Sequence, residues 1–137
     1  MKTIEVSKGL QMSAVVQGFW RLDSWNFETK QLVDFMKGCI DRGVTTFDTA
    51  EIYADTYCET LMGEAFAQDK SLRNQIQLVS KTGIFKENID GTPFGYYNTT
   101  YDRVKQSCKE SLQRLHTDYL DLYLIHREDP CFDPWET

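Results

Sequence analysis

Four side chains of complementary acid–base character mark this sequence: Asp48, Tyr53, Lys81 and His126. A carboxylate, a phenol, an ammonium and an imidazole are groups that proteins use to give, take and steady a proton. Three of them close short apolar or β-branched runs: residues 44–47 lead to Asp48, 76–80 to Lys81 and 120–125 to His126. Tyr53 follows Asp48 on the next loop. In a parallel α/β protein the strand ends are rigid and the loops beyond them face the substrate. Taken singly, each residue has an ordinary role: a turn aspartate, a half-buried tyrosine, a surface lysine, a satisfied histidine beside Arg127. Their joint placement at consecutive strand ends selects the catalytic reading.

The elements that must position them follow a repeating order. Residues 14–18 read as the first core strand, after a possible hairpin formed by Ile4-Glu5-Val6 and Leu10-Gln11-Met12 across Lys8-Gly9. Residues 29–42 read as a helix whose buried face is Leu32, Phe35, Met36, Cys39 and Ile40. Gly43 is placed to end it. A second helix is expected over 57–68 with Leu61, Ala65 and Phe66 inward, and a third over 101–116 with Val104, Cys108, Leu112 and Leu115 on one face. His116 suits the helix C-terminus, and Asp121 within the fourth strand reads as a structural acceptor. Residues 82–99 read as a long functional loop rich in aromatics (Phe85, Phe94, Tyr96, Tyr97). Strand and helix alternating three times before a fourth strand give an α/β class with parallel strands and helices outside.

The 137 residues predict one domain. A net charge of −6 offers no basic face for nucleic acid or anionic membrane. Cys39, Cys58, Cys108 and Cys131 form no C-x-x-C pair and no zinc-spaced cluster, so no metal site is expected and the thiols read as reduced. The first residues have no apolar signal core, and the run 119–125, broken by Asp121, falls far short of the ~20 residues of a membrane span. A cytoplasmic location is the expectation.

The blocks FDTAEIY, LVSKTG and SLQRLHTDYLDLYLIH resemble the aldo-keto reductase superfamily, and its bacterial oxidoreductases in particular. The resemblance covers essentially the whole chain but only the N-terminal half of that fold, an eight-stranded parallel (β/α) barrel, of which four strands are accounted for. It implies an NADPH-dependent reduction of an aldehyde or ketone. It assigns the family's catalytic Asp, Tyr, Lys and His to Asp48, Tyr53, Lys81 and His126. By the same resemblance Tyr53 is the general acid, Lys81 supports it, Asp48 holds Lys81 and His126 orients the carbonyl oxygen. Gly18, Phe19, Trp20 and Asp48 lie beside the cofactor, and Trp20 with the aromatic loop walls the pocket.

Residues 133–136 read as a helix start, Asp133 as N-cap and Pro134 in the first turn, so a truncated chain is the expectation. Half a barrel leaves the edges of its first and fourth strands unpaired, which predicts a homo-oligomer formed through those edges. The alternative reading is a catalytically inactive half-barrel, or a non-catalytic regulatory relative, that self-associates.

Overall fold

Alternation of β-branched and apolar residues with amphipathic helices produces the expected layering. The computed structural model describes residues 1–137, with side chains described at every position other than 89 and 134. Strands β3 (Val16–Gly18), β4 (Thr46–Asp48), β5 (Gln77–Thr82) and β8 (Leu122–Ile125) form one four-stranded parallel sheet in the order β3-β4-β5-β8. Helices α1 (Thr29–Asp41), α2 (Tyr57–Gln68) and α3 (Tyr101–Arg114) make the crossovers. Four parallel strands linked by helical crossovers are the arrangement expected of part of a (β/α) barrel.

In a parallel ladder, paired residues share a face. Gly18 pairs with Asp48 and Asp48 with Val79, while Val79 pairs with Leu122 and Lys81 with Leu124. Asp48 and Lys81 therefore share the inner face. His126, two residues beyond Leu124, continues it. The outer face carries Phe47 and Leu78, both fully buried, against Leu32, Met36, Met62, Phe66 and Leu72.

The expected N-terminal hairpin is present as β1 (Thr3–Ser7) and β2 (Leu10–Ser13). Ser13 pins it to the sheet: its backbone N–H donates to Thr46 Oγ1 at 2.9 Å, and its Oγ accepts from the N–H groups of Thr45 and Thr46. The first core strand is shorter than expected, Val16–Gly18 rather than 14–18, because the N–H of Ala14 is still bonded to the C=O of Lys2 in the hairpin.

Residues 82–99 are not a loop. They contain an antiparallel hairpin, β6 (Ile84–Ile89) and β7 (Thr92–Tyr97), turning at Asp90 and Gly91 with φ of 50° and 81°. Two successive positive φ values give the turn twist that a right-twisted ribbon requires. The base is closed by the Asn98 N–H donating to the Gly83 C=O at 3.1 Å.

Helix α3 also departs from its expected face. Its buried residues are Ser107 and Ser111, with Val104, Cys108 and Leu112 only partly covered, while Leu115 at its C-cap is fully buried as expected. It packs on a polar layer. Glu59, wholly buried on α2, accepts from Ser80 Oγ at 2.6 Å and from Arg114 Nε at 2.7 Å, tying β5 and both helices together. Arg73, at 8% side-chain exposure, donates to Asp121 Oδ2 at 2.8 Å, and Asp121 also accepts the Leu78 N–H. Asp121 is the structural acceptor expected of it.

Candidate active site

The strand ends bring Asp48, Tyr53, Lys81 and His126 to one place. Lys81, at 13% side-chain exposure, is the hub. An ammonium has three N–H donors. Those of Lys81 reach Asp48 Oδ1 at 2.7 Å, the Thr49 C=O at 2.7 Å and Tyr53 Oη at 3.4 Å. Every donor has an acceptor, so the ammonium is fixed in position. Tyr53 Oη receives a hydrogen bond from Lys81, leaving its own O–H free to donate into the cleft.

The loop holding Tyr53 is stitched to β5 by backbone bonds, Thr49 N–H to Val79 C=O at 2.9 Å and Glu51 N–H to Lys81 C=O at 3.1 Å. Immediately after Tyr53, three successive non-glycine residues, Ala54, Asp55 and Thr56, have φ of 49°, 50° and 76°. Each such residue costs about 1–2 kcal/mol. Strained backbone of this kind collects at functional sites, where the surrounding structure enforces it.

His126 meets Tyr53 edge to face, ring centroids 5.6 Å apart and planes at 79°. Burial pushes the imidazole below its ordinary value, and the cations of Lys81 and Arg127 push it further, against a smaller opposing effect of Asp48. A neutral ring carries one N–H. Nδ1 is buried with no partner among the described residues, so Nε2 is the nitrogen able to serve the cleft.

Trp20, Ile52, Ile84 and Tyr97 line a cleft of about 480 Å³ together with Tyr53 and His126, and Lys86 and Arg127 complete its rim. The expected aromatic wall is there in part, supplied by Trp20 and by Tyr97 of the hairpin, while Phe85 lines a different cleft. Of the residues assigned to the cofactor, Gly18 pairs with Asp48 on the inner face, with open space where a Cβ would stand. Trp20 is 62% exposed in the cleft. The Phe19 side chain is turned into the core, and its N–H is spent on the Asp48 C=O at 2.8 Å. A bare backbone at Gly18 beside the Asp48–Lys81–Tyr53 group fits a flat ring laid against the strand ends.

Sequence reasoning missed two participants, the Thr49 carbonyl and Lys86, and a buried carboxylate close by, Glu51. Glu51 sits within the quoted FDTAEIY block but was not singled out. Its carboxylate is 6% exposed, 3.9 Å from Arg103, and Oε2 has no partner among the described residues. Burial pushes it above the usual carboxylate range. Thr82 Oγ1, Ser107 Oγ and Tyr123 Oη are likewise buried and unpartnered. Among the described residues there is no group of three or more His, Cys, Asp or Glu able to hold a metal ion, and no helix long and apolar enough to cross a membrane.

Residues 14–137 match the Aldo/keto reductase family. The chain belongs to that family. It is 43% identical over 136 residues to the uncharacterized oxidoreductase YcsN of Bacillus subtilis (strain 168), covering 98% of this chain and 45% of that protein. It is also 43% identical over 126 residues to the oxidoreductase YdhF of Escherichia coli (strain K12), covering 92% and 42%. The chain thus spans about half the length of the curated relatives it matches. Among solved structures it superposes on an aldo-keto reductase from Bacillus halodurans in its holo form, with TM-score 0.79, 27% identity and coverage of 99% and 43%. It also superposes on one from Klebsiella pneumoniae in complex with NADPH, with TM-score 0.69, 32% identity and coverage of 93% and 40%. These family members share the barrel to which the four-stranded sheet corresponds.

Proposed function

We propose that this chain carries the reacting centre of an NADPH-dependent oxidoreductase that reduces a small aldehyde or ketone, with Tyr53 as general acid. The observation that carries this reading is the triple engagement of Lys81, which presents its third N–H to Tyr53 Oη. The cofactor supplies a hydride to the carbonyl carbon. The protein's part is to accept the charge that develops on the carbonyl oxygen.

Tyr53 donates its proton to that oxygen, and Lys81 stabilises the negative charge left on Oη. Asp48 holds Lys81 so that this charge is met without rearrangement. His126, neutral, donates from Nε2 and fixes the lone-pair direction of the carbonyl. Gly18, Trp20 and Asp48 border the space beside the tetrad, and the NADPH complex of the Klebsiella pneumoniae relative supports the choice of cofactor.

The test is NADPH binding by fluorescence and NADPH consumption with a generic aldehyde. Tyr53→Phe should lower turnover by about 10²–10⁴-fold and leave cofactor binding unchanged. Absence of cofactor binding, or full turnover in the variant, would sink the proposal.

A second reading rests on the sheet edges. Strands β3 and β8 have no partner on their outer sides among the described residues, and Val15, Val16, Leu124 and Ile125 are exposed beside them. Such edges recruit other strands, and we propose that this chain self-associates through them. Light scattering showing a single monomeric species at micromolar concentration would count against it.

A further inference from the structure

The chain is acidic overall, with 21 carboxylates against 15 lysines and arginines. The cleft around Tyr53 reverses that balance. Its lining includes Lys86 and Arg127 and no carboxylate, and the Lys81 ammonium behind Tyr53 is balanced by Asp48, so the excess charge comes from those two cations. Lys86 comes from the hairpin strand β6 and Arg127 from just beyond β8, so the two cations reach the rim from independent elements.

Neither cation is firmly neutralised. Lys86 pairs with Asp55 at 3.2 Å, but the two side chains are 57% and 77% exposed. An ion pair that wet contributes little and exchanges easily for another anion. Arg127 has no carboxylate within salt-bridge distance among the described residues, and it stands between the Tyr53 cleft and a second one that it lines together with Glu128 and Asp129. The field of Arg127 is felt at the reacting group, where it helps hold His126 neutral. A cationic rim on an acidic protein also draws anions selectively.

We propose that the cleft takes carbonyl substrates bearing an anionic group, a carboxylate or a phosphate, which Lys86 and Arg127 hold while Tyr53 and His126 hold the carbonyl oxygen. The proposal rests on the reductase reading of the same site and adds the substrate class. The aromatic walls accept the substrate's apolar body, the rim its charge.

Calorimetric binding to the full chain at low salt tests it, with 4-carboxybenzaldehyde, 4-formylphenyl phosphate and the neutral methyl 4-formylbenzoate as probes. The anions should bind about tenfold more tightly than the ester, as two partly exposed charge contacts allow. The double variant Lys86→Met, Arg127→Met should erase that preference, bringing both anions down to the ester's affinity. The order of the two anions identifies carboxylate or phosphate. Equal affinity for all three, equal loss for the ester, or no binding of any probe overturns the proposal. NADPH consumption with the ester separates the two readings. Turnover without an anion preference leaves reduction standing and removes the substrate class. An anion preference without turnover of any probe does the reverse.

Discussion

Asp48 faces Val79 across the β4–β5 ladder, and Lys81, two residues further on, donates to Asp48 Oδ1 at 2.7 Å. The ion pair is therefore diagonal along one sheet face, and it places the lysine under Tyr53 rather than beside the aspartate alone. In the proposed mechanism Lys81 and Tyr53 serve a single step. Lys81→Met should lower turnover about as much as Tyr53→Phe, by ~10²–10⁴-fold, and the double variant should lose little more. Steady-state kinetics on the three variants check this, since residues that share one step are not additive.

The His126 imidazole predicts a pH dependence of stability. Its folded value lies below the unfolded value of about 6.5, so the unfolded chain binds the proton more readily. Stability should be fully present above that value and fall as the pH is lowered through the folded one. Urea midpoints measured between neutral and mildly acidic pH should show the decline, and His126→Asn should flatten it.

Glu51 predicts the opposite slope. Its folded value is raised, chiefly by burial, so its contribution is present below the unfolded value and lost as pH rises through the folded one. At neutral pH the charged form is a cost. Glu51→Gln should raise the urea midpoint at neutral pH and leave it almost unchanged at acidic pH, where both side chains are neutral. A loss of stability at neutral pH would show that the Arg103 contact outweighs the desolvation.

Much of the site was legible because its geometry follows from strand parity. Asp48, Lys81 and His126 each close an apolar run, and their common face follows from parallel pairing. The hairpin was missed for a definite reason. Asp90-Gly91 is a strong two-residue turn signal, but Pro93 and Gly95 beside it are residues that strands disfavour. Those residues are tolerated because β6 and β7 pair only with each other. The buried face of α3 was misread because the layer beneath it is polar. Glu59 and Arg114 occupy that layer, Arg114 Nη2 donates to Ser111 Oγ, and the small Ser107 and Ser111 are buried where periodicity pointed to Val104 and Cys108.

Thr56 should be the weakest point of the left-handed stretch after Tyr53. It is β-branched at φ 76° and caps α2 without a side-chain hydrogen bond. Relief of about 1–2 kcal/mol, less the cost of glycine's freedom in the unfolded chain, makes Thr56→Gly stabilising by roughly 0.5–1 kcal/mol. Thermal unfolding of the variant measures it.

Gly63 is fixed by contact rather than by dihedral angle. A Cβ there would strike the Arg114 carbonyl and the His116 ring. Because the obstacle is backbone, it cannot swing aside. Gly63→Ala should destabilise by about 1–3 kcal/mol, visible as a lower urea midpoint with an unchanged slope.

The β6–β7 hairpin leaves the barrel at Gly83 and rejoins it at Asn98, where the two backbones are bonded to each other. Its strands pair with nothing else, yet Ile84, Lys86 and Tyr97 all face the catalytic cleft. It is in effect a removable cassette. Lengthening, recharging or transplanting it would change what the cleft meets without touching the strands that carry Asp48, Lys81 and His126, so the lining of the cleft and the acid–base cluster can vary independently.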